Sequence, residues 1–247
     1  MGYARHAEQC GFEAIYLPEH IVLHPGARLG TFELPPDLPY LDPLDCLSFI
    51  AAATSRILLG TAVLLLPYHH PVTLAKRLAT VDVLSKGRMR LLTVGLGALP
   101  GEAAAVGVDY ASRGRRADEA IDVLRLLWAG DERGVGFHGE FFDFDGLCSF
   151  PKPYRASTLP IHIGGSSRAA ARRAALRGDG FYPGGMLTPD ERLAQWEIAG
   201  RPQEYTRPAA LDITAERVAE LAAQGVTRLV VSSTSLDDLT AFASRFV

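Results

Sequence analysis

The stretch SRILLGTAVLLLPYHHPVTLAKRLATVDVLSKGRMRLLTVGLG, Ser55 to Gly97, decides the fold class. Its first part, Arg56 to Leu66, is a continuous apolar run without polar alternation, which is the pattern of a strand buried on both faces. Pro71 then opens a helical stretch to Leu84, and Ser85-Lys86-Gly87 marks its exit. Met89 to Val94 is apolar again and ends in Gly95-Leu96-Gly97. A buried strand, a helix and a second buried strand make a crossover unit, and such a unit implies parallel pairing.

The same rhythm extends in both directions. Upstream, Tyr3 to Cys10 reads as a short helix stopped by Gly11, and Glu13 to Leu17 as a strand. Leu23 to Tyr40 has several Pro and Gly without a period and reads as a long loop. Asp42 before Pro43 is an N-cap with proline in the first helical position, predicting a helix to about Ala53. Downstream, Ser112 to Trp128 is helical, with Leu124, Leu127 and Trp128 among its core residues. FHGEFFDFDG, Phe137 to Gly146, alternates around a glycine and predicts a hairpin. Strands at Pro160 to Ile163, Gly180 to Tyr182, a weak one at Pro208 to Leu211, and Arg228 to Ser232 are separated by helices at Ser166 to Arg177, after Thr188-Pro189, at Ala215 to Gln224 and at Asp237 to Phe246.

A doubly wound sheet and a closed barrel both fit this order. No GxGxxG follows the first strand, which weighs against the dinucleotide-binding sheet. A (β/α)8 TIM barrel typically takes about 250 residues, and the chain has 247. No linker or shift of composition divides it, so one domain over residues 1–247 is expected. The strands number about seven, and the chain opens on a helix where a barrel opens on a strand. The first strand of the barrel is therefore expected to be missing from this chain.

Composition narrows the function. A net charge of −3 gives no electrostatic reason to expect nucleic acid or an anionic membrane as partner. The longest apolar run, Ile57 to Pro67, is about half a membrane span. Cys10, Cys46 and Cys148 are too few and scattered for a disulfide framework, and read as reduced, mostly buried thiols in a cytoplasmic protein.

In a parallel barrel the chemistry sits at the C-terminal ends of the strands. There Pro18-Glu19-His20 sets a carboxylate beside an imidazole, a group able to exchange a proton near neutrality. Adjacent residues on an extended chain point opposite ways, so the two are not expected to share one substrate atom; an ion-paired glutamate beside a structural histidine is the alternative. His69 and His70 are adjacent, a poor spacing for chelation, and no metal is expected. His162 alternates with Ile161 and Ile163 as a barrel-lining residue. Gly164-Gly165-Ser166-Ser167, between a strand and a helix, offers free backbone N–H groups and a helix dipole to an anion, or is simply a capped turn. Gly95-Leu96-Gly97 has a related but weaker logic, since glycine also marks close approach of another backbone or a flat ring. Arg113, Arg115 and Arg116 read as solvated or paired with Asp118 and Glu119.

Taken in order, GFEAIYLPEH, the Ser55–Gly97 stretch, RGRRADEAIDVLRLLWAG, FHGEFFDFDG, PKPYRASTLPIHIGGSS and RGDGFYP resemble the luciferase-like flavin and deazaflavin oxidoreductases, and most closely their coenzyme F420-dependent actinobacterial branch. The resemblance covers roughly Gly11 to Pro183. It implies a luciferase-type barrel, commonly dimeric, that seats F420, or alternatively FMN, over the strand ends. A bulge at the third strand, often with a non-proline cis peptide, matches Ala62-Val63. The acidic-His pair matches Glu19 and His20, with His20 near the ring. The phosphate turn matches Gly164, Gly165, Ser166 and Ser167, with Gly95 and Gly97 on the preceding strand exit and Gly180 and Phe181 on the following strand. The implied activity is hydride transfer between F420 and a small organic substrate. The alternatives are an FMN-dependent monooxygenase, or a barrel relative that keeps the fold and binds without catalysing. Relatives that oxidise a sugar phosphate carry a glutamate just after the Gly-x-Gly turn; here that position is Ala98.

Overall fold

The computed structural model describes residues 1–185 and 187–247. Helix α1 (Gly2–Gln9) leads into strand β1 (Ala14–Leu17), and a small hairpin, β2 (Arg28–Leu29) with β3 (Phe32–Glu33), follows. The expected long loop thus contains one short paired segment. Helix α2 (Pro43–Ala53) starts at Asp42, whose side chain accepts from the N–H groups of Leu44 and Asp45. Then come β4 (Leu58–Leu65), a 3-10 turn at Leu66–Tyr68, α3 (Pro71–Leu84) and β5 (Met89–Gly95).

Past β5 the chain forms a six-residue helix that the apolar pattern does not announce, α4 (Pro100–Ala105), then the long α5 (Arg113–Ala129). The hairpin is β6 (Val135–His138) with β7 (Asp143–Leu147), wider than the alternation suggests. The remaining elements are β8 (Ile161–Gly164), α6 (Arg168–Arg177), β9 (Gly180–Tyr182), α7 (Pro189–Ile198), β10 (Thr206–Ala209), α8 (Ala215–Ala223), β11 (Arg228–Val231) and α9 (Leu236–Phe246). Thr188 and Glu191 form a capping box at the start of α7.

Seven strands run parallel. Five form one sheet in the order β1-β4-β5-β8-β9, and β10 pairs with β11. Among the described residues a single bridge, Phe181 to Tyr205, joins the two groups. The ring is an α/β barrel that backbone pairing does not close: among the described residues β1 and β11 do not pair with each other. Both are half-buried along their whole length, whereas β8 is buried throughout. Arg228 spans from one group to the other, donating to Glu13 (2.8 Å) and Glu204 (2.6 Å), while α1 packs beside α9.

Outward-facing strand residues, including Leu59, Leu64, Leu92, Val94, Ile161, Ile163 and Phe181, build the main core with the helices. Trp128 of α5, 1% exposed, donates its indole N–H to the carbonyl of Ala75 in α3 (3.1 Å), satisfying the one polar atom of the largest core residue. Arg88, just before β5, spends its guanidinium on the carbonyls of Ala51, Thr54 and Ile57, closing the C-terminal end of α2. Cys10 and Cys46 are half-buried; Cys148, on the hairpin, is exposed, contrary to expectation, because an edge hairpin offers no interior for it.

Candidate active site

The exits of β1, β4, β5 and β8 lie side by side, and their residues meet in two groups. The first is built around Val63. The Ala62–Val63 peptide is cis, and the register of β4 against β5 shifts between Ala62 and Leu64, so a bulge stands at the exit of the second strand of the sheet. Val63 reaches across two neighbours. A Cβ on Gly95 would stand 2.5 Å from its Cγ2, and a Cβ on Gly164 would stand 2.5 Å from its Cγ1. Both glycines are required by this approach. Three strand exits therefore meet under one small side chain, with Val63 seated over the backbone of Gly95 and Gly164.

The second group is polar. Glu19 is 4% exposed, and its carboxylate accepts the N–H of Leu65 (2.6 Å) and faces Nε2 of His69 (3.0 Å). Glu19 thereby ties the exit of β1 to that of β4. His20 turns the other way, as expected for adjacent residues of an extended chain. Its Nδ1 lies 3.1 Å from Oε2 of Glu102, which also accepts the N–H of Ile21 (2.6 Å). Glu102 is fully buried on α4. An ionised carboxylate only accepts, so Nδ1 carries the proton, and Nε2 of His20 has no protein partner among the described residues. The ring edge of Tyr40 packs on the imidazole at 4.8 Å.

Tyr68 completes this side. Its hydroxyl is buried without a hydrogen-bond partner and presses on Gly97, whose φ is +75°. Burial, reinforced by the Glu102 carboxylate, pushes its pKa up to about 12. Arg113 donates to the carbonyl of Gly97 (3.3 Å) and Arg116 to that of Pro67 (3.0 Å). Neither pairs with Asp118 or Glu119, as the sequence had suggested: Asp118 holds Arg173, and Glu119 accepts the N–H groups of Glu140 and Phe141. Two guanidinium groups are left at the strand exits.

The turn after β8 stands open. Gly165, Ser166 and Ser167 are exposed, and Gly165 has φ +112°, a conformation other residues rarely adopt. Ser167 caps α6, accepting from the N–H of Ala170 (3.1 Å), and the carbonyl of Ser166 is held by Gln195 (2.5 Å). The N–H groups at the start of α6 and the hydroxyl of Ser166 remain available to an anion.

Not every expected residue reaches this place with its side chain. Phe181 is fully buried on the outer side of the sheet, stacked on Tyr205 at 6.1 Å. Gly180 lies against His162, to whose Cδ2 a Cβ would come within 2.8 Å. His162 itself, 2% exposed, lines the barrel, and burial pulls its pKa below the ordinary value. Missing from the sequence reading were Glu102, Tyr68 and the mouth-facing roles of Arg113 and Arg116. Pro100, standing at the first helical position, was the one local signal for the short helix that carries Glu102.

The luciferase-like monooxygenase family model matches residues 1–228. An uncharacterized protein of Mycobacterium tuberculosis is 34% identical over 265 residues, spanning 98% of this chain and 90% of that protein. An F420-dependent glucose-6-phosphate dehydrogenase of Microbacterium testaceum is 31% identical over 181 residues, spanning 71% of this chain and 49% of that protein. Among solved structures, an F420-dependent secondary alcohol dehydrogenase in complex with an F420–acetone adduct superposes with a TM-score of 0.77 at 17% identity, over 98% of this chain and 92% of that one. At that identity the superposition speaks for the fold.

Proposed function

This chain belongs to the luciferase-like monooxygenase family, and on that premise we propose that it is an oxidoreductase that seats F420 at the strand exits and serves hydride transfer to or from a small organic molecule. The observation that carries the reading is the bulge at Ala62-Val63, whose valine is seated over Gly95 and Gly164 at three neighbouring strand exits, beside an open glycine-serine turn. Reduced F420, when bound, supplies the hydride donor.

The residues of the chain do the rest. Ala62 and Val63 back the ring, with Gly95 and Gly164 making room for Val63, and Gly97 for Tyr68, behind it. Ser166 and Ser167 hold the phosphate through their hydroxyls and the free N–H groups at the start of α6, Gly165 supplies the turn while giving its own N–H to the carbonyl of Tyr182 (3.3 Å), and Gly180 and Phe181 stand on β9 beside β8. His20, with Nδ1 protonated by its pairing with Glu102, exchanges a proton with the substrate at Nε2. Glu19 acts by fixing the two strand exits and His69, which positions His20.

Anaerobic titration with oxidised and reduced F420, alongside FMN, tests this. Tight binding of F420 with a change in its absorbance supports it. Binding of FMN with oxygen-dependent reoxidation and no affinity for F420 moves the chain to the flavin monooxygenases. No binding of either at high micromolar concentration leaves a barrel relative that binds without redox chemistry.

A further inference from the structure

A second concave site lies on the helix side of the exits of β9 and β10, between α7 and α8. Tyr205 stacks on Phe181 within the core that separates sheet from helices, so it points outward. Arg207 stands two residues further on the same strand and shares that face. It opens onto a cavity of about 290 Å3 lined by Arg192, Arg207, Pro208, Ala209, Ala210, Ile213, Arg217 and Leu221.

The charge of this cavity is one-sided. Arg207 is 6% exposed and donates to the carbonyl of Pro183 (3.0 Å), with the Tyr205 hydroxyl also beside it. Arg192 donates to the carbonyl of Leu187 (2.6 Å), and its Nε is buried without a partner. Arg217 is engaged with Glu220 (2.6 Å). Among the described residues no carboxylate pairs with Arg192 or Arg207; Asp190 lines the neighbouring cavity, which Arg192 also borders. Burial, with the nearby Arg192 charge adding to it, draws the pKa of Arg207 below the ordinary value.

A guanidinium has five N–H donors, so most of those on Arg207 are unspent. Two neighbouring cations repel, and burying one without a counter-charge is unfavourable. An anion between them relieves both costs, and the planar fork of arginine matches the oxygens of a carboxylate or phosphate. The remaining lining, Pro208, Ala209, Ala210, Ile213 and Leu221, is apolar and suits a short carbon body. The volume stands near the lower end for small-molecule sites, about 300 Å3.

We propose that the cleft between α7 and α8 is a ligand site for a small organic anion, a carboxylate or phosphate monoester on a compact apolar body, clamped by Arg192 and Arg207. It is distinct from the group at the exits of β1, β4, β5 and β8, with which it shares no lining residue.

Calorimetric titration with benzoate and with phenyl phosphate, at constant ionic strength in chloride, tests it on the wild-type chain and on Arg192→Gln, Arg207→Gln and Gly165→Asp. One probe is expected to bind one-to-one with Kd below about 1 mM, and which one distinguishes carboxylate from phosphate. Binding should weaken tenfold or more in both arginine variants and persist in Gly165→Asp, since that variant disables only the turn after β8. No binding of either probe at about 10 mM, or affinity unchanged in Arg192→Gln, overturns the proposal. So does binding lost in Gly165→Asp, which would place the anion at the turn. Arg192, half-exposed, carries the test alone if Arg207→Gln fails to fold.

Discussion

Glu102 and His20 meet as a pair 82 residues apart in the chain, with Nδ1 of the imidazole 3.1 Å from a carboxylate that is wholly buried. The same carboxylate accepts the N–H of Ile21. Removing it in Glu102→Ala leaves a backbone donor unsatisfied and frees the ring to take either tautomer. Stability should fall by roughly 1–3 kcal/mol in urea denaturation. The nitrogen chemical shifts of His20 should move from the Nδ1–H form toward the mixture of a free imidazole, and Glu102→Gln should restore part of the stability. Unchanged shifts in Glu102→Ala would remove Glu102 from the positioning of His20.

Val63 and Gly95 give a second prediction by crowding alone. A methyl group on Gly95 would stand 2.5 Å from Val63 Cγ2. Gly95→Ala should destabilise the chain by about 1–3 kcal/mol, the range for an overpacked core. Shortening the neighbour should relieve it: Val63→Ala/Gly95→Ala should be more stable than the sum of the single effects. Simple additivity in the double variant would mean that the two side chains do not meet.

Gly165 separates strain from charge. Its φ of +112° makes any side chain unfavourable, at about 1–2 kcal/mol. Gly165→Ala should therefore lower stability while leaving some affinity for F420. Gly165→Asp adds a carboxylate where the phosphate is proposed to sit, and affinity should drop at least tenfold below that of Gly165→Ala. Equal affinities of the two variants would place the phosphate elsewhere.

Histidines 20 and 69 should likewise differ. His20→Ala removes the imidazole whose Nε2 lacks a protein partner, whereas His69→Ala removes only the group facing Glu19. Turnover is expected to fall more in His20→Ala, while melting temperature falls in both, because each variant leaves a buried carboxylate, Glu102 or Glu19, with one contact fewer. Equal turnover in the two variants would make His20 a structural residue.

What could be read in advance was local. Asp42 before Pro43, and Thr188 with Glu191, mark helix starts because capping is a contact over two or three residues. The apolar runs of β4, β5 and β8 show because strands buried on both faces have no polar alternation. Helix α4 did not show, since Gly101-Glu102-Ala103-Ala104-Ala105 carries no apolar stripe of helical period. At the mouth, the glycines and Glu19-His20 were legible as types, but their partners were not. The join of His20 to Glu102, or of Val63 to both Gly95 and Gly164, depends on strand register and on side chains far apart in sequence. Arg113 and Arg116 were misread for that reason: their neighbours on the helix are acidic, yet their contacts are carbonyls of other elements.

Glu8 yields a prediction in pH. Its Oε1 accepts the N–H groups of Ser55 (2.8 Å), Arg56 (2.6 Å) and Ile57 (2.9 Å), fastening α1 to the turn that enters β4. Burial raises the pKa of this carboxyl, but the three amides and the Arg56 charge outweigh it and bring it to about 2, from an ordinary 4.5. A folded-state pKa below the unfolded one means that ionisation favours folding. The contribution of Glu8 is therefore complete above pH 4.5 and is lost as the pH falls toward 2. Glu8→Gln keeps one acceptor oxygen and removes the charge. It should lower stability by about 1 kcal/mol at neutral pH, with partial solvent exposure limiting the effect. The difference from wild type in urea denaturation should shrink below pH 4.5. A gap that stays constant across that window would show that the three amides do not depend on the charge of Glu8.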